Sequence, residues 1–169
     1  METQDYLDQL KQSLCQHLAT DNVQLEIHYD IPVFILQKEL VHEGLRFLKT
    51  SSAYGYTFLT TMCGIHFSEL VEKEFAIMYQ LHNMVNNKRI RIRTFMPRSN
   101  MSLPTITDLW PSANWMEREA YDFYGFDFTG HPNLKRILNM DEMNYFPMRK
   151  EYALEDGART DKDDKYFGR

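Results

Sequence analysis

Residues 75–96 read Phe75-Ala-Ile77-Met-Tyr79-Gln-Leu81-His-Asn-Met-Val-Asn86-Asn87-Lys88-Arg89-Ile90-Arg91-Ile92-Arg93-Thr-Phe95-Met96. Every second position from 75 to 81 carries a large apolar side chain, the period of a strand that buries one face. Asn86-Asn87 then supplies turn chemistry that folds the chain back on itself. In the returning run, Ile90 and Ile92 share one face and Arg89, Arg91 and Arg93 the other. The stretch is a hairpin, so the fold around it is built on an antiparallel sheet.

Upstream, residues 57–67 (TFLTTMCGIHF) are β-branched and aromatic enough for another strand. Val33-Phe34-Ile35-Leu36 forms one more, and Val23, Leu25, Ile27 and Tyr29 alternate with polar residues as a half-buried strand. Two helices are expected on this side: residues 38–49 on Leu40, Val41, Leu45 and Leu48, and residues 3–20 on Tyr6, Leu7, Leu10, Leu14 and Leu18. Downstream, Pro97 and Pro104 bound a polar stretch. Asp108-Leu109-Trp110-Pro111 then introduces a helix over 112–125, with Ser112 as N-cap and Gly125 as stop. After a short aromatic segment, Phe126-Asp127-Phe128, and beyond Leu138, no periodicity persists. Residues 151–169 hold six acids, four bases and little apolar content. The expected fold is α+β: a domain over 1–125 whose mainly antiparallel sheet carries helices packed on one side, then an extended partner-docking segment over 126–169.

Composition narrows the function. Against 24 acids stand 19 bases, a net charge of −5, and residues 1–30 account for it with six acids and one base. Such a chain is not a general nucleic-acid binder, because neutralising phosphates requires a net basic face. No run approaches 18 consecutive apolar residues, and the acidic N-terminus is unlike a secretory or transit signal. A soluble cytoplasmic domain is expected. Two cysteines, Cys15 and Cys63, make no disulfide framework and cannot supply the four thiolates of an iron–sulfur cluster.

Cys63-Gly-Ile-His66 has the spacing of half a metal site. On a strand, however, the two side chains point to opposite faces, and no second half exists, so no metal is expected. The arginine row of 89, 91 and 93 is a solvated strand face, or one that meets an acidic partner. No Gly-x-Ser-x-Gly, phosphate loop or dinucleotide fingerprint is present. The densest chemistry lies in Trp110-Pro-Ser-Ala-Asn-Trp115-Met-Glu117-Arg118-Glu119-Ala-Tyr121-Asp122-Phe-Tyr-Gly125. Trp115, Glu119 and Asp122 fall on one side of a helix. Arg118 lies four before Asp122 as an ion pair, and Glu117 lies four before Tyr121. Such carboxylates could serve a stand-alone hydrolase as acid and base. The favoured reading has them pair with arginines 89, 91, 93, 118, 136 and 149, locking the helix or binding a partner chain.

Three ordered motifs carry a resemblance: Glu117-Arg118-Glu119-Ala-Tyr-Asp122-Phe-Tyr-Gly125, His131-Pro132-Asn-Leu-Lys135-Arg136-Ile-Leu138, and Pro147-Met-Arg149-Lys150-Glu151-Tyr152. With Trp115 and the Arg91–Arg98 lead-in, they are similar to the 30-kDa subunit, or C subunit, of the proton-pumping NADH:quinone oxidoreductase, respiratory complex I. The resemblance is strong over 89–152, holds in outline over 23–88 and does not reach 1–22. Two departures stand out: His66 where the family commonly has aspartate, and Asn144-Tyr145-Phe146 with Met148 and Glu151 in the third motif.

The resemblance implies a cofactor-free, non-catalytic subunit of the hydrophilic arm. It would sit peripherally on the cytoplasmic side of the bacterial inner membrane, attached only through the complex. Its partners would be the quinone-site (49-kDa type) subunit and the iron–sulfur subunits; FMN, iron–sulfur clusters, NADH and quinone belong to the assembled enzyme. A homologous subunit of a membrane-bound hydrogenase or a related quinone or ferredoxin complex is the alternative within the same superfamily.

Overall fold

The computed structural model describes residues 2–152. Helix α1 (Glu2–Leu18) leads through β1 (Gln24–His28) and β2 (Ile31–Ile35) to a 3-10 turn (Lys38–Leu40) and α2 (Val41–Thr50). Then come β3 (Phe58–His66), β4 (Phe75–Asn83), β5 (Lys88–Met96), the short β6 (Ser102–Pro104), α3 (Ala113–Tyr124) and β7 (Asp127–Thr129). The two expected early helices thus form with small shifts of their ends. Helix α1 stops at Leu18 because Ala19 turns to a φ of 49°, and the Thr20 N–H bonds back to the Cys15 carbonyl at 3.1 Å.

The main sheet runs β1-β2-β5-β4-β3. The predicted hairpin is present in full, with Tyr79 opposite Ile92 and Asn83 opposite Lys88. All pairings are antiparallel except one. Strand β2 lies parallel to β5, with Val33 opposite Arg91, and α2, β3 and β4 fill the crossover between them.

Burial alternates along the strands as the sequence pattern requires. Ile77, Tyr79, Leu81, Ile90 and Ile92 are buried on one face, which α1 and α2 cover with Leu10, Leu14, Leu45 and Leu48. On the other face Met78, Gln80, Arg91 and Arg93 are partly exposed. Helix α3 packs along β3, where Gly64 leaves room for the Tyr124 and Phe126 rings. A Cβ at Gly64 would stand 2.7 Å from each.

Past residue 125, where the expected docking segment begins, the chain continues in the packing of the body. Phe126 and Phe128 are fully buried in the core, and β7 pairs in parallel with β6, placing Leu103 opposite Phe128. Two rings withdrawn from water bind this segment to the body more strongly than its lack of periodicity suggests. Residues 130–152 are irregular, yet they lie back against α3 and the end of β3 through the contacts described next. The last part of the expected docking segment, 153–169, lies outside the described residues.

Candidate functional site

The three carboxylates of α3 face three different environments. Asp122 is fully buried, and its two oxygens accept five hydrogen bonds. Oδ2 receives the backbone N–H groups of Ile137, Leu138 and Asn139 at 3.1, 2.8 and 3.0 Å. Oδ1 receives Arg136 Nη1 at 2.8 Å and Asn139 Nδ2 at 3.0 Å. Burial alone would raise this carboxyl. The N–H donors of Asn139, Leu138 and Ile137 together with the guanidinium outweigh it and hold the group well below the usual carboxylate range. Arg136 directs three further bonds to the Asp122, Met143 and Tyr145 carbonyls, at 2.9, 2.7 and 3.1 Å. One buried acid and one arginine thus tie the irregular chain over 137–145 to the helix.

The pair expected at Arg118 and Asp122 is therefore not the one that forms. Arg118 donates instead to the Lys135 and Arg136 carbonyls, both at 3.1 Å, and lies over the Trp115 ring at 5.0 Å. An aspartate offered three backbone N–H groups is better served by them than by an exposed i,i+4 partner.

Glu117 is equally buried and chemically opposite. Its Oε1 accepts the Ile106 N–H at 2.7 Å and its Oε2 the Thr105 hydroxyl at 2.5 Å. Burial dominates these hydrogen bonds and pushes the carboxyl up to about 7. The nearest cationic candidate is His131, whose Nε2 lies 3.8 Å from Oε2. His131 Nδ1 accepts the Asn133 N–H at 3.0 Å, so Nε2 carries the hydrogen and points at the Asn114 carbonyl, 3.3 Å away. Glu119, about a turn before Asp122 and on the opposite side of the helix from Glu117, is exposed beside exposed Trp115 and has no ion-pair partner among the described residues.

Gly125 ends α3 with a φ of +81° and donates to the Tyr121 carbonyl at 2.8 Å. A Cβ there would meet the Phe146 ring at 2.6 Å and Arg149 Nη2 at 2.7 Å, so glycine is required for conformation and for space. Arg149 fills that space. Its Nε donates to the Tyr124 carbonyl at 2.7 Å, and its guanidinium lies between the Phe146 and Phe75 rings at 4.6 and 5.2 Å. Lys150 acts through its backbone: its N–H donates to His66 Nδ1 at 2.9 Å, while the His66 ring stacks on Phe75 at 4.3 Å. Glu151 pairs with Arg98 at 2.7 Å, and Tyr152 packs against Tyr145.

Of the remaining signature residues, Lys135 and Pro132 are exposed, and Pro147 lies in the turn where the Met148 N–H meets the Phe123 carbonyl. His66, Thr105 and Asn139 complete the arrangement but lie outside the three signature motifs. Of the three, only His66 is marked in the sequence, by its departure from the family pattern. Cys63 and His66 face apart, and no group of three metal-ligating side chains forms among the described residues.

The same residues decide the family. The model of the "Respiratory-chain NADH dehydrogenase, 30 Kd subunit" matches residues 34–158, most of the chain and all three motifs. The chain belongs to the 30-kDa subunit family of respiratory complex I. It is therefore one subunit of a proton-translocating NADH:quinone oxidoreductase. A relative from Geobacter metallireducens, the C subunit of an NADH-quinone oxidoreductase, is 34% identical over 134 residues, 79% of this chain and 81% of that one. A relative from Acinetobacter baylyi is 38% identical over 129 residues, 73% of this chain; it is a C/D subunit, of whose length the match takes 22%. Among solved structures, the trypsin-resistant fragment (1-134) of Nqo5 superposes with a TM-score of 0.64 at 28% identity, covering 79% of this chain and all of the fragment. The fold is thus shared with that fragment. No helix among the described residues is long and apolar enough to cross a membrane.

Proposed function

We propose that the chain is a cofactor-free, non-catalytic subunit of the hydrophilic arm. It packs beside the quinone-site subunit and near the iron–sulfur subunits, peripherally on the cytoplasmic side of the bacterial membrane. The carrying observation is how the signature residues are spent. Asp122, Arg136 and Arg149 are engaged by the chain's own carbonyls, N–H groups and rings, which is the chemistry of a brace. Glu117 is sealed between Thr105 and Ile106, and only Glu119 faces outward. Three carboxylates so divided do not converge on one reacting atom, which speaks against a hydrolase built on them. The joint C/D relative in Acinetobacter baylyi supports a neighbour within one linker's reach. FMN, clusters, NADH and quinone are assigned to the other subunits.

A tagged chain purified from detergent-solubilised membranes tests this reading. The quinone-site and iron–sulfur subunits should co-purify. Glu119→Lys should lower the yield of complex while leaving turnover per assembled complex intact. Normal yield with lost electron transfer would refute a structural role.

A further inference from the structure

The outer face of the main sheet carries no helix among the described residues, and β5 sets Arg89, Arg91 and Arg93 in a row along it. Neighbouring strands present Ile35, Ile65 and Met78 on the same face, each partly exposed. Among the described residues a single carboxylate forms an ion pair with the row. Glu26 Oε2 lies 3.8 Å from Arg93 Nη1 and is itself held by His28 Nε2 at 2.7 Å. Arg91 directs its Nε to the Gln80 side chain at 3.1 Å. The Arg93 side chain is only 12% exposed, and its Nε is buried without a partner among the described residues. A guanidinium that is nearly out of water and has an unmatched donor is costly. Pairing on both sides of β5 fixes it there, since Ile35 of β2 and Met78 of β4 lie opposite Arg93.

We propose that this face docks a carboxylate-bearing segment of another subunit of the complex. Arg93 and Arg91 anchor its acids, and Ile35, Ile65 and Met78 receive the apolar side chains between them. The proposal rests on the reading of the chain as a complex I subunit and adds where, and by what chemistry, a neighbour is held. Charge selects the occupant: three arginines, of which only Arg93 has a carboxylate partner among the described residues, attract an acidic segment and repel a basic one. A nucleic acid fits less well. The apolar flanks offer nothing to phosphates, and the only ring on β5, Phe95, already lies within 5.9 Å of the Arg93 guanidinium and 5.8 Å of Lys73.

The test uses the full-length chain in the assembled complex. Arg91→Lys and Arg93→Lys keep the charge and add an amine that a water-soluble carbodiimide condenses with any carboxylate in direct contact. Mass spectrometry should then find position 91 or 93 joined to an Asp or Glu of another subunit. In parallel, Arg93→Met should leave the isolated chain as stable as before or more so, yet reduce its recovery in the complex about tenfold. Links only to Glu26 or other acids of this chain, links to a second copy, or protection of the face by nucleic acid would each overturn the proposal while co-purification upholds the subunit reading. Loss of co-purification by the unmutated chain would overturn both.

Discussion

The backbone N–H of Lys150 donates to Nδ1 of His66, joining the third motif to the end of β3 across 84 positions of sequence. The bond requires a neutral ring with Nδ1 unprotonated, and burial lowers the affinity of His66 for a proton from its ordinary value of 6.5. Because the folded value is depressed, the stabilisation is complete above pH 6.5 and is lost as the pH falls through the folded value. Glu151 opposes that shift, and Lys150, Arg149 and Arg98 reinforce it. The protection factor of the Lys150 amide, the intrinsic base-catalysed exchange rate divided by the observed one, should therefore fall at acid pH. His66→Asp should keep the bond and move the transition down into the carboxylate range. A protection factor that stays constant between pH 7.5 and 5 would contradict the assignment.

Glu117 gives a pH dependence of opposite sign. Its folded carboxyl is raised to about 7 from 4.5, so the native state binds the extra proton between those values and stability declines as pH rises across them. Glu117→Gln holds the neutral form at every pH. It should flatten this slope and gain on the order of 2 kcal/mol over the parent at pH 8, read by urea denaturation. Glu117→Ala should instead cost about 1–3 kcal/mol, because it strands the Ile106 N–H in the core.

Asp122→Ala removes the acceptor of five hydrogen bonds and leaves Arg136 buried without its counter-charge. A loss of about 3–5 kcal/mol is expected. Residues 135–139 should open first, so trypsin should cut after Lys135 and Arg136 at least tenfold faster than in the parent. Unchanged cleavage would show that the segment is held by other means. Since the Asp122 carboxyl lies below its ordinary 3.8, its contribution is present above that pH and fades as the pH falls through the folded value.

Gly125→Ala tests backbone and space together. A Cβ would require a left-handed alanine and displacement of Phe146 and Arg149. A cost above about 1 kcal/mol is expected, with loss of the Arg149 contacts. A melting temperature equal to the parent's would refute the crowding.

Much of the sheet is legible because alternation is a local signal: strands 75–83 and 88–96 declare themselves by which positions are apolar. Helix α3 likewise shows in its spacing and in Gly125, although Ser112, expected as its N-cap, makes no side-chain capping bond. The partners of Asp122 are not legible, because they are N–H groups of Ile137, Leu138 and Asn139, and any residue supplies those. For the same reason the four-residue spacing points Arg118 at the wrong partner. Strands β6 and β7 are three residues long, too short for a period to register. The parallel contact of β2 with β5 leaves no mark in the local pattern of either strand.

That parallel contact also orders events in time. Strand β2 has β1 on one side, but its other neighbour is β5, and Val33 cannot meet Arg91 until everything between them has emerged from the ribosome. A nascent chain that has reached only Asn83 holds two separate pairs, β1–β2 and β3–β4, each with the edge meant for β5 still open. Strand β5 enters last and closes both at once. Folding therefore hinges on a late, non-local insertion, and a pause in synthesis between residues 83 and 96 would leave two unpaired edges exposed to aggregation.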